Sequence, residues 1–171
     1  MHDTSAFVYG PERPDQSAAI EDIHGEAFGP GRFARAAFRI REGGTHDLAL
    51  SFVALHGPSG RIAGSVRLTH VTIGGQRGAL LLGPLAVQPD FKNLGAGRKL
   101  MAMAVDAARA SGARLIVLVG DLPYYAPFGF KAEGTGGLKF PGPVDPRRVL
   151  ACELKDGALA RYAGMIRHAE G

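Results

Sequence analysis

The sequence predicts an α+β fold: a mixed, mostly antiparallel sheet flanked by helices, with one central parallel βαβ unit whose strands splay apart. Three observations carry this expectation. Apolar, β-branched runs at Leu48–Leu55, Arg61–Ile73 and Ala79–Val87 succeed one another across glycine-rich turns, the pattern of an antiparallel meander. The third run leads through a helix-period segment into "ARLIVLVG", a continuous apolar stretch of the kind found in strands covered on both faces. Finally, Gly83-Pro84 interrupts the third run, and a proline inside a buried strand removes a ladder hydrogen bond.

Taken in order, Ala6 to Tyr9 reads as a short first strand. The segment "PERPDQSAAIEDIHGEAF" reads as a helix that starts at Pro14 or Asp15, with Ala19, Ile20, Ile23 and Ala27 on one face. Arg32 to Glu42 reads as a second helix, with Phe33, Ala37 and Ile40 inward and Arg32, Arg35, Arg39 and Arg41 solvated. Gly57-Pro58-Ser59-Gly60 and Gly74 to Gly78 turn the meander. Gly95 to Ala110 is an amphipathic helix whose inner stripe is Leu100, Met101, Ala104, Val105 and Ala108. "DLPYYAPFGF" is a helical turn or loop, "GGLKFPGPVDP" a loop, and Arg148 to Leu154 a last strand. The remaining "DGALARYAGMIRHAEG" reads as a weak helix or a mobile tail.

The chain has 171 residues, expected to form a single domain over 1–171. Its net charge of +4 suits an anionic ligand. The basic residues are scattered and match no RNP, KH or helix-turn-helix pattern, so nucleic acid ranks last among the partners. Cys152 is the only cysteine, which leaves neither an internal disulfide nor a cysteine-based metal site. No metal is expected. No apolar run approaches membrane-spanning length, and "MHDTSAFVYGPERPD" lacks a signal-peptide pattern, so the expectation is a cytoplasmic protein with no membrane partner.

The chemistry concentrates in "LLLGPLAVQPDFKNLGAGRKLM", Leu80 to Met101. A bulge at Gly83-Pro84 would part Leu80–Val87 from its parallel neighbour Arg114–Val119, and the unpaired amides would suit a ligand that carries amides of its own. The competing reading is an edge strand with nothing bound, which the length and unbroken apolarity of the run disfavour. In "FKNLGAGRKL", the N–H groups of Leu94 to Arg98 would point out of a helix start. Glycines there let an anion approach, and Lys92 and Arg98 add charge. Neither the P-loop nor the dinucleotide fingerprint is present, and a plain tight turn into a helix remains open.

These residues resemble the GNAT superfamily of acyl-CoA-dependent N-acyltransferases, especially its small bacterial YhbS-like branch. "KNLGAG" is similar to the family's acyl-CoA motif, Gln/Arg-x-x-Gly-x-Gly/Ala, at Lys92 to Gly97. "GPLAVQPDF" is similar to the strand before the motif, and "VGDLPYYAPFGF" to the branch's closing segment. The likeness is strongest over about 80–130. Lys92 departs from the pattern, keeping the charge without the planar fork. The family's Asn after the parallel strand has no clear match, and Gly120-Asp121 takes its place.

The resemblance implies a GNAT-like fold and transfer of an acetyl group from acetyl-CoA, as co-substrate, to a primary amine by direct attack. The alternative is a CoA-binding or regulatory module with a degenerate site. It implies that pantetheine pairs with the strand Leu85, Ala86 and Val87, one of whose N–H groups would also hold the oxyanion. The diphosphate would rest on Lys92, Asn93, Leu94, Gly95, Ala96, Gly97 and Arg98. Tyr125, four residues before Gly129, matches the family's tyrosine that protonates the departing thiolate; Tyr124 reads as packing. The general base stays open among His70, Asp121, Glu26, His24 and water. Arg35, Arg39 and Arg41 carry little weight as attractors of an acidic acceptor, because a charged helix face is usually only solvated. The acceptor is a small-molecule or peptide amine, and an exposed strand edge would permit a homodimer.

Overall fold

Period-2 apolar patterns in the computed structural model, which describes residues 6–170, become eight strands. The side chains of Phe33 and Ala34 lie outside the described residues, and with them the inward placement expected of Phe33. Strands β1 (Phe7–Pro11), β2 (Phe52–His56), β3 (Ile62–Ile73) and β4 (Gln76–Val87) form the antiparallel meander. Helix α1 (Ser17–Phe28) and the short α2 (Ala36–Arg41) lie between β1 and β2. Helix α3 (Ala96–Ala110) connects β4 to β5 (Leu115–Val119), which pairs parallel to β4. The four-residue α4 (Leu122–Tyr125), β6 (Leu138–Lys139), β7 (Val149–Glu153) and β8 (Gly164–His168) complete the chain. The main sheet runs β1-β2-β3-β4-β5-β7; β8 pairs with both β3 and β6.

Alternate residues of the sheet feed two cores. Val66, Leu68, Leu80, Leu82, Ile116 and Leu118 pack with the α3 stripe Leu100, Met101, Ala104 and Ala108 on one face. Val71, Ile73, Ala79, Leu81, Leu115 and Val117 face the other way, toward Ala36 and Ile40 of α2. The expected α3 stripe is buried throughout, and Arg98, Lys99, Ala102, Asp106 and Arg109 are exposed.

Several expectations are corrected. Residues 164–168 are a strand, not a helix or loose tail: His168, Arg167 and Ile166 pair with Val71, Thr72 and Ile73, and Ile166 is fully buried. The inner face of α1 is Ile20, Ile23 and His24, whereas Ala19 and Ala27 are exposed. The second helix is split. A 3-10 turn over Pro30–Ala34 ends at Arg35, which is extended at ψ 141°, and α2 starts after it. The β3–β4 turn is a two-residue hairpin at Gly74-Gly75, whose φ angles of 58° and 83° place both in the left-handed region.

Candidate acyl-transfer site

The opening in the sheet follows from one mismatch of register. Val66 pairs with Leu85 and Leu68 with Leu82, so Gly83 and Pro84 together oppose Arg67 alone. Two residues against one make a β-bulge, which bends the strand. On its other edge β4 pairs with β5 only at Ala79–Leu115, Leu80–Ile116 and Leu81–Val117. Beyond that point β5 stays with β7 through Val119–Val149, while β4 stays with β3 through Val87–Gly64. The two strands therefore part at Gly83-Pro84, as the proline in the run suggests.

The N–H of Gln88 donates to the Ala63 carbonyl at 2.7 Å, toward β3. Backbone groups alternate sides along a strand, so those of Ala86 also face β3, and those of Leu85 and Val87 face the opened edge. A cleft of about 550 Å³ occupies the gap, lined by Leu82, Gly83, Pro84 and Leu85 on one side and Leu118, Val119 and Gly120 on the other.

Gly95, at φ 89°, is the N-cap of α3 and supplies no side-chain cap. The first helical bond runs from the Lys99 N–H to the Gly95 carbonyl. The N–H groups from Asn93 to Arg98 thus have no backbone acceptor among the described residues. This is the donor array that a helix start offers to an anion, with Lys92 and Arg98 exposed beside it. A Cβ at Gly97 would lie 2.8 Å from the Tyr124 hydroxyl and 3.7 Å from Val87, so the turn and the mouth of the cleft meet there.

Tyr125 lines the cleft, its ring lying so close to Gly120 that any Cβ at that position would collide with it. Tyr124 packs edge-on to it with ring centroids 4.9 Å apart, and Phe130 at 6.0 Å. Burial pushes the Tyr125 hydroxyl up to about 12, helped by Tyr124 and Asp121 and opposed by Arg148 and Arg41. It stays protonated through neutral pH. Tyr124 does more than pack: it also lines the cleft, and its hydroxyl reaches the glycine turn.

A second chamber of about 310 Å³ lies across Gly83-Pro84 and shares Phe38 and Arg41 with the cleft. Its floor is a polar network that the sequence reading missed. Arg67 donates from Nε to Glu12 Oε1 at 3.0 Å, from Nη2 to Glu12 Oε2 at 3.2 Å and from Nη1 to Glu21 Oε1 at 2.7 Å. His46 donates from Nε2 to Glu12 Oε2 at 2.8 Å, as an acceptor-only carboxylate requires. Burial raises the Glu12 carboxyl, but hydrogen bonds and charge from His46 and Arg67 outweigh it and hold Glu12 below its usual range. The legible signal was Ser65, Arg67 and Thr69 at alternate positions of β3, a polar face on a buried strand.

The candidate bases separate. His70 is bonded to Asp47 at 2.7 Å and lines another cavity with Arg77 and Glu170. Glu26 is exposed and lines neither chamber nor cleft. Asp121 borders the cleft, 3.3 Å from Arg148. His24, expected at a solvated position, is 1% exposed and borders the chamber, with Nε2 unpartnered. Burial, then the Arg67 charge, pushes it down to about 4, so it is neutral at physiological pH.

Comparison with known proteins agrees with this geometry. Residues 17–130 match the Acetyltransferase (GNAT) family. The chain is 27% identical over 166 residues to YjhQ of Escherichia coli, named an uncharacterized N-acetyltransferase, covering 95% of this chain and 90% of that protein. It superposes on the crystal structure of Escherichia coli YhbS in complex with CoA with a TM-score of 0.78, at 24% identity, covering 95% of this chain and 89% of that one. A GNAT acetyltransferase from Brucella melitensis, solved in complex with acetyl-CoA, is 31% identical with a TM-score of 0.62, covering 89% of this chain and 97% of that one. The family match spans both the bulged strand and the glycine turn, and the chain belongs to the acetyltransferase (GNAT) family.

Proposed function

We propose that the protein transfers the acetyl group of acetyl-CoA to a primary amine by direct attack. The carrying observation is the parting of β4 from β5 after Leu81 and Val117, with Leu85 and Val87 facing the gap. Those backbone groups would pair with the pantetheine amides. The free N–H groups of Asn93 to Arg98, with Lys92, would hold the diphosphate. A backbone N–H at Leu85–Val87 would stabilise the oxyanion as the amine adds. A C–N bond forms, the C–S bond breaks, the amine nitrogen gives up one proton to water, and the thiolate takes one from Tyr125, which regains it from water. The CoA-bound YhbS structure and the acetyl-CoA-bound Brucella protein support this choice of co-substrate.

Thiol release from acetyl-CoA across a panel of amines tests the reading. Amine-dependent release is the expected result; tight CoA binding with no turnover on any amine would instead favour the regulatory module.

Gly97→Leu should weaken CoA binding at least about tenfold by calorimetry, because the new side chain enters the space between Tyr124 and Val87. Leu is the better helix former by roughly 0.8 kcal/mol, so unfolding is not the expected cause. Unchanged affinity would remove the diphosphate from this turn.

A further inference from the structure

Arg41 ends α2 where the cleft and the side chamber meet, and it lines both. Its contacts do not balance its charge. Nη2 lies 3.5 Å from the Leu82 carbonyl, too far for a strong hydrogen bond, and the guanidinium stacks 4.8 Å from the centroid of Phe38. Nε is buried without a partner, and no carboxylate comes within ion-pair distance of Arg41 among the described residues. The neighbouring cations differ. Arg67 is held by Glu12 and Glu21, and Arg148 by Asp121. Arg41 is partly buried, with its Nε shielded and the rest of the side chain reaching the two cavities, and burial together with the Arg67 charge lowers its pKa to about 9, which still leaves it cationic at neutral pH. A Cβ at Gly83 would meet Arg41 Nη2 at 2.6 Å, so the glycine of the bulge is also what lets the guanidinium lie against β4.

We infer that Arg41 receives a carboxylate of the acceptor, and that the acceptor is a small amino-acid-like amine seated in the side chamber. This rests on the acetyl-transfer reading above. The donor's own charges belong at the glycine turn, and its reacting end is a neutral thioester, so an anion at Gly83-Pro84 comes from the other substrate. One uncompensated positive charge matches a monoanion better than a phosphate dianion, and the planar fork of Arg suits a carboxylate. A chamber of about 310 Å³ sits at the small end of ligand pockets and suits a metabolite rather than a folded partner.

The test uses matched acceptors, each amino acid against its own amide, with kcat/KM measured for both. The wild-type protein should prefer the free acids by at least about tenfold, the value of one charged hydrogen-bond pair. Arg41→Gln should bring the ratio close to one, and Arg41→Lys, which keeps the charge and loses the fork, should fall between. Equal rates for acid and amide in the wild type would overturn the inference, as would a preference that survives in Arg41→Gln. A loss of acetyl-CoA affinity in Arg41→Gln as large as the loss of acid preference would also overturn it, by moving Arg41 to the donor side. Titrating the CoA-loaded protein with N-acetyl amino acids and N-acetyl amino amides reads the same discrimination without turnover. Failure of the wild-type protein to bind acetyl-CoA would sink the acetyl-transfer reading itself; binding with acids and amides treated alike would sink only the role of Arg41.

Discussion

Replacing Tyr125 with Phe should lower kcat for acetyl transfer about 100-fold and leave acetyl-CoA affinity within about twofold. The magnitude is the lower end of general acid–base catalysis, since a thiolate is already a tolerable leaving group. The split between kcat and affinity follows because the hydroxyl acts only as the C–S bond breaks. The ring would keep its place, fixed against Gly120 and between Tyr124 and Phe130. The pH profile gives a second check. A donor must be protonated, and burial with the help of Tyr124 and Asp121 keeps Tyr125 protonated up to about 12. The wild-type rate should therefore show no alkaline fall near 10, where an ordinary tyrosine ionises. An unchanged kcat in Tyr125→Phe would leave this residue a packing role alone.

What the sequence made legible was the local geometry around the reaction. Gly83-Pro84 cannot continue a regular ladder, so a break in β4 follows from the residues alone, and the bulge opposite Arg67 is its form. The α3 stripe and the cationic glycine turn are equally local, and both are placed where their spacing indicates. The tail was missed for a different reason. "GMIRH" is too short to announce a period, and its pairing with Val71–Ile73 joins residues about 95 positions apart. Long-range pairing of that kind leaves no local trace.

The side chamber was also hidden, because its charged groups other than Arg67 of β3 come from loops and helices that read as solvated. Glu12 sits in a Pro-rich stretch, His24 on a helix with polar neighbours, and Arg41 on what resembled a plain cationic face. Only the turn at Arg35, which re-aims α2, brings Arg41 to β4. The reading of Arg35, Arg39 and Arg41 as equivalent solvated cations therefore divides. Arg35 and Arg39 are exposed, and Arg41 faces the junction of two cavities.

The floor of that chamber carries the largest expected effect on stability. Arg67→Met should destabilise the protein by about 3–5 kcal/mol, because it takes the Arg67 ion pair from the wholly buried Glu12 carboxylate and leaves it only the His46 hydrogen bond. In a chain of this length the loss corresponds to a fall in Tm on the order of 10 °C. The double variant Glu12→Leu with Arg67→Met should recover most of it, since removing both charges removes the desolvation penalty along with the attraction. Acid should narrow the gap between wild type and Arg67→Met. Glu12 is held below its usual 4.5 in the folded wild type, so its contribution is present above that value and lost as pH falls through the folded pKa. In Arg67→Met burial acts on Glu12 with less opposition, and protonation then relieves the variant while it weakens the wild type. A loss below about 1 kcal/mol at neutral pH, or a gap that does not change in acid, would mean that water reaches Glu12. The polar floor would then be a solvated surface, and its charges would act on the chamber above it through water.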